Sequence, residues 1–115
     1  MELKAASLLL IPLTVFASSL QAAELAGRIW FDNNKQAARQ MHVKVSCADN
    51  GTHECTTDNY GFYRCPNIPA KQSCYIWIHD GSHYSDPLLF NSGEGRDTQN
   101  FSVLPQASKL IVRKR

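Results

Sequence analysis

The sequence predicts an all-β protein: one antiparallel β-sandwich domain of about seven strands, stapled by disulfides. Three observations carry this expectation. Short runs of alternating apolar and polar residues recur about every 8 to 12 positions, separated by turn-forming residues. After the N-terminal segment, no stretch shows the period of an amphipathic helix. Four cysteines, an even number, follow a segment that reads as an export signal.

That segment runs from Met1 to Ala22. Lys4 gives it a positive start, and Ala5 to Ala17 is apolar around Leu8-Leu9-Leu10-Ile11-Pro12-Leu13. Ser18, Ser19, Gln21, Ala22 and Ala23 supply the small and polar residues that a signal peptidase accepts. Cleavage is expected after Ala22, with Ser19 and Ala23 as alternatives. The apolar run is roughly 13 residues, short of the roughly 20 that a membrane-spanning helix needs, and Pro12 interrupts it. The first cysteine is Cys47, so no lipid attachment is expected near the cleavage point. The chain therefore divides into a signal peptide, 1–22, and a single β-sandwich domain, 23–115. It is expected to be periplasmic or secreted, with no membrane anchor.

Within the domain the first strand is expected over Leu25 to Asp32, with Gly27, Ile29 and Phe31 on one side, before the turn Asp32-Asn33-Asn34. In the second, Met41, Val43, Val45 and Cys47 alternate with His42, Lys44 and Ser46, the mark of one buried and one wet face. Asp49-Asn50-Gly51 closes a tight hairpin onto Glu54 to Asp58. After the turn Asp58-Asn59-Tyr60-Gly61 comes Gly61 to Cys65. Pro66 and Pro69 bracket a loop, and Cys74 to His79 is the strongest strand. Asp80-Gly81-Ser82 ends it. Leu88 to Phe90 is short, and Asn91 to Asp97 is a polar loop. Thr98 to Leu104 and Lys109 to Arg113 finish the domain around Pro105.

Seven, nine and eight residues separate successive cysteines, with no closely spaced pair of the kind that structural zinc sites use. Disulfides are the expected use of Cys47, Cys55, Cys65 and Cys74, and sequence alone allows three connectivities. Each neighbouring pair flanks an expected hairpin, which favours Cys47–Cys55 with Cys65–Cys74.

Several short motifs are similar to the carboxypeptidase regulatory-like domain, a prealbumin-like (transthyretin-like) sandwich related in outline to the Ig-like folds. They are Gly27-Arg28-Ile29, the strand Val43-Lys44-Val45, and Thr57-Asp58-Asn59-Tyr60-Gly61-Phe62-Tyr63, which resembles T-D-x-x-G-x-Y. Ile68-Pro69-Ala70 followed by Tyr75 to Ile78 resembles the L-P-x-G-x-Y-x-L-x-I ending. Within it, Asp58 is expected to cap the turn, Gly61 to take a positive φ and Tyr63 to fill the core. The glycines usual after the first strand are replaced by Asn34 and Ala38-Arg39, and the glycine after Pro69 is missing. The resemblance implies a non-catalytic module of about seven strands that binds or supports a partner. A hydrolase of the same fold ends in Tyr-Arg-Gly-Ser; this chain ends in Arg113-Lys114-Arg115, so that activity is not expected. The first strand offers Arg28 and then Lys35 but no inward lysine, so no internal isopeptide is expected.

The formal charge of +2 is too small to argue for a nucleic acid or an anionic membrane as partner, and no nucleic-acid partner is expected. His79 and His83 could clip a metal, but their turn reads more simply as solvated, and neither a metal nor a cofactor is expected. No nucleophile-elbow sequence is present, so an enzyme is not expected. The glycosylation-type triplets at Asn50 and Asn100 are read as chance. The strongest candidate is aromatic. If Ile76 and Ile78 face inward, Tyr75, Trp77 and His79 face outward, and so do Phe62 and Arg64. A hairpin through Pro66 to Gln72 would join these five residues into one binding face; Trp30, also at an outward parity, could join it or cover an edge. Exposed aromatics beside an arginine often mark recognition of a glycan or protein, unless another element covers them. The alternative is an inhibitor or accessory subunit acting through a fixed loop, Pro66 to Ser73 or Asn91 to Asp97.

Overall fold

A computed structural model describes residues 22–48 and 51–115. The expected signal peptide, apart from Ala22, and Asp49-Asn50 of the expected turn lie outside the described residues. Nine strands form two sheets, and no helix occurs among the described residues. The strands are β1 (Ala22–Phe31), β2 (His42–Cys47), β3 (Thr52–Thr56), β4 (Phe62–Pro69), β5 (Ser73–His79), β6 (Leu88–Asn91), β7 (Arg96–Thr98), β8 (Phe101–Gln106) and β9 (Lys109–Lys114). One sheet has the order β4-β1-β8-β9, with β7 also pairing β1; the other has the order β3-β2-β5-β6. Most pairs are antiparallel, but β1 runs parallel to β7 and β8, which take successive stretches of the same edge. This is the disulfide-stapled β-sandwich expected, with nine strands rather than about seven. Eight runs are set out along the sequence, and the ninth strand arises in the C-terminal half, where the run expected at Thr98 to Leu104 is broken at Gln99-Asn100 between β7 and β8.

Alternation builds the core. From β2, Val43, Val45 and Cys47 point inward; from β5, Cys74, Ile76 and Ile78; from β1, Leu25 and Ile29; and from β8, Phe101 and Val103. Each large side chain of this set contributes about 1.5–3 kcal/mol when removed from water. Tyr63 enters the same core and its hydroxyl donates to the Gln99 carbonyl at 2.6 Å; burial pushes its pKa well above the ordinary phenol value. The turn before β4 has the expected build. Asp58 Oδ1 accepts from the amides of Tyr60 and Phe62 at 2.9 and 3.0 Å, and Gly61 has φ +86°. A side chain at Gly61 would also strike the Ile29 carbonyl at 2.4 Å. Thr57 completes the motif: its buried Oγ1 donates to Ala38 O and accepts from Met41 N.

Two sequence expectations are corrected here. The hairpin through Pro66 to Gln72 does not form, because β4 joins β1 in one sheet and β5 joins β2 and β6 in the other. Pro66 and Pro69 lie inside β4, tolerated because β4 is an edge strand whose free side needs no donors. The disulfides are Cys47–Cys74 and Cys55–Cys65, not the hairpin-flanking pairs. Register is the reason. In the β2–β3 pair Cys55 lies opposite Val43, several rungs from Cys47. In the β2–β5 pair Cys47 lies directly opposite Cys74, with Cα atoms 4.0 Å apart. Cys55 instead reaches across the sandwich to Cys65, tying β3 of one sheet to β4 of the other. Two such bonds fit folding in an oxidising, extracellular environment. No helix among the described residues is long and apolar enough to cross a membrane.

Candidate functional site

The outer face of the β3-β2-β5-β6 sheet is built by register. One rung carries Thr56, His42 and His79; the next Glu54, Lys44 and Trp77; the next Thr52, Ser46, Tyr75 and Leu89. The inward parity of Ile76 and Ile78 forces Tyr75, Trp77 and His79 out together. Trp77 is half-buried against its neighbours, with Tyr75 tilted beside it at 6.2 Å between centroids. Tyr84 closes the far end. It bridges to His79 on β5 and to Lys109 on β9, and its ring stacks on His79 at 4.7 Å. The result is an open groove of about 310 Å³ lined by Lys44, Ser46, Thr52, Trp77, His79 and Tyr84. Aromatic rings form its apolar surface, and two hydroxyl side chains and an ammonium group form its polar rim.

The five residues expected on one face are divided. Tyr75, Trp77 and His79 share this groove face, whereas Phe62 and Arg64 stand on the outer face of the opposite sheet. Phe62 is 53% exposed, with the Arg28 guanidinium 5.3 Å from its ring centroid. Arg64 is spent in an ion pair: its Nη2 lies 2.9 Å from Glu24 Oε1, and Arg96 Nε donates to Glu24 Oε2 at 2.6 Å. Arg64, with Arg96 behind it, holds the Glu24 carboxyl below the usual glutamate range. Trp30 is also on this side, in a shallower depression with Arg28 and Lys35.

His79 and His83 do not converge. His83 Nδ1 faces Asp80 Oδ2 at 3.1 Å, and the Asp80 carboxylate also caps the amides of Ser82 and His83. His79 instead faces His42, ring on ring at 4.7 Å, and Glu54. The two candidate inhibitory loops are joined to each other. Lys71 pairs with Glu94, and buried Ser92 accepts from Gln72 N while donating to Pro69 O.

Sequence reasoning missed Tyr84 as a wall of the groove, and Lys44, Ser46 and Thr52 as its rim. The wet side of β2 was visible in the alternation of His42, Lys44 and Ser46. Tyr84 lies outside the named strands and carries no periodic signal. No protein-family model, curated protein or solved structure matches this chain. The fold and the groove thus define its class by themselves: a small disulfide-stapled β-sandwich with an aromatic recess on one sheet.

Proposed function

We propose that the chain is an exported, non-catalytic binding module that takes a glycan in the groove of Trp77 and Tyr84. The observation that carries this reading is the pairing of exposed aromatic surface with a hydroxyl and ammonium rim. A sugar ring has an apolar C–H face and a hydroxyl edge. The apolar face suits an aromatic ring, and the hydroxyls suit Ser46, Thr52 and Lys44. Tyr84 and Tyr75 are each about half exposed or more, a cost in water that a ligand would offset. Export through the signal peptide read in Met1 to Ala22 would place the module in the periplasm or outside the cell. Its disulfides suit either site. The test is retardation of the oxidised protein in gels containing soluble polysaccharides, comparing wild type with Trp77→Ala and with Phe62→Ala on the opposite sheet. Retardation lost in the first and kept in the second supports the groove. Equal behaviour of all three proteins contradicts it.

A further inference from the structure

Beside the groove, three adjacent strands bring three metal-ligating side chains together. His42 from β2, Glu54 from β3 and His79 from β5 offer donor atoms that all lie within 4.8 Å of one another. Glu54 Oε2 is 3.6 Å from His79 Nε2 and 4.0 Å from His42 Nδ1. Both separations are too long for hydrogen bonds. They approach the spacing of about 3.3 Å between two ligands of one tetrahedral ion with bonds of about 2.0–2.1 Å. The two ring nitrogens of His79 have different surroundings. His79 Nδ1 is buried and has no hydrogen-bond partner. Its Nε2 is the nitrogen that lies nearest Glu54 Oε2, at 3.6 Å, and is the one placed to bind an ion.

We infer that His42, Glu54 and His79 form a binding site for a late first-row divalent cation, zinc being the probe of choice. Two imidazoles and one carboxylate are a donor set that suits zinc and leaves a coordination position open. The site needs little rearrangement. His42 and His79 stack with their planes 13° apart, so one ring must tilt for both lone pairs to reach a common ion. His42 and Glu54 are both well exposed and free to adjust. The backbone is fixed, because His42 sits directly opposite both His79 and Thr56 in the ladders. Exposure also limits affinity, so micromolar rather than nanomolar binding is expected. The inference does not depend on the glycan reading.

The test is calorimetric titration of the oxidised full chain with zinc chloride. Wild type is expected to bind one ion. His42→Gln, Glu54→Gln and His79→Gln should each weaken binding by more than about tenfold. His83→Gln, which alters the other histidine–carboxylate pair, should leave it unchanged. Thermal unfolding of every variant without zinc separates ligand loss from loss of fold, since these side chains lie on the sheet surface. A zinc-dependent rise in melting temperature, present in wild type and absent from His79→Gln, is the second readout. The inference is overturned by absence of saturable binding up to about 1 mM zinc. It is equally overturned by binding that disappears in His83→Gln but persists in His42→Gln.

Discussion

Removing cysteines in two different pairs should have very different costs. Cys47 and Cys74 close a loop with a sequence separation of 27, and Cys55 and Cys65 one of 10 nested inside it. On the chain-entropy relation these cross-links restrict the unfolded chain by about 3.5 and about 2.7 kcal/mol respectively. The double variant Cys47→Ala/Cys74→Ala removes one bond and should lose about 3.5 kcal/mol. The double variant Cys47→Ala/Cys55→Ala removes one partner from each bond. It should lose both contributions, about 6 kcal/mol, a large part of the roughly 5–15 kcal/mol that holds a domain folded. Three of the sulfurs are buried in the core, so packing losses add to both figures and keep their order. Urea unfolding followed by tryptophan fluorescence measures both. A hairpin-flanking connectivity would reverse the order, because Cys47→Ala/Cys55→Ala would then remove a single bond. That reversed order would refute the cross-sheet arrangement.

Gly27→Ala should lose about 2–3 kcal/mol in the same assay, because the added methyl would lie 2.0 Å from the Gln99 carbonyl oxygen, a backbone atom that cannot swing away. A variant within about 0.5 kcal/mol of wild type would show that β1 and the Gln99-Asn100 segment are less closely apposed. Arg64→Ala should raise the Glu24 pKa toward the ordinary glutamate value, read by NMR titration of its carboxyl. Because the folded-state value is depressed, the stabilisation from this pair is full above the unfolded glutamate pKa. It is lost as pH falls through the folded value, and that acid-side loss should shrink in Arg64→Ala. An unchanged Glu24 titration would contradict the pairing.

Much of the fold was legible because burial follows parity. The alternation at Met41 to Cys47 and at Cys74 to Ile78 marked the inward residues, and all of them are buried. The Asp58 to Gly61 turn was legible too, since an Asp cap and a positive-φ glycine are local requirements. Parity states which side of a strand is wet, but not which sheet the strand joins. Phe62 and Trp77 both point outward as expected, yet on opposite sheets, because β4 crosses over instead of turning back on β5. The disulfide pairing failed for the same reason. Flanking a turn is not sharing a rung, and the rung of Cys47 is with Cys74. The His42, Glu54 and His79 cluster needs the register of three strands at once, which no local pattern encodes.

The most direct test of the binding account is the affinity of Trp77→Ala for whichever soluble polysaccharide retards the wild-type protein. An aromatic anchor contributes about 2 kcal/mol or more, so binding should weaken roughly thirtyfold. The melting temperature should stay near that of wild type, because Trp77 is half-buried on the sheet surface and outside the core. Phe62→Ala and Trp30→Ala, on the opposite sheet, should bind as wild type does. The account is contradicted if wild type binds none of the polysaccharides. It is contradicted as well if Trp77→Ala binds unchanged while Trp30→Ala or Phe62→Ala does not.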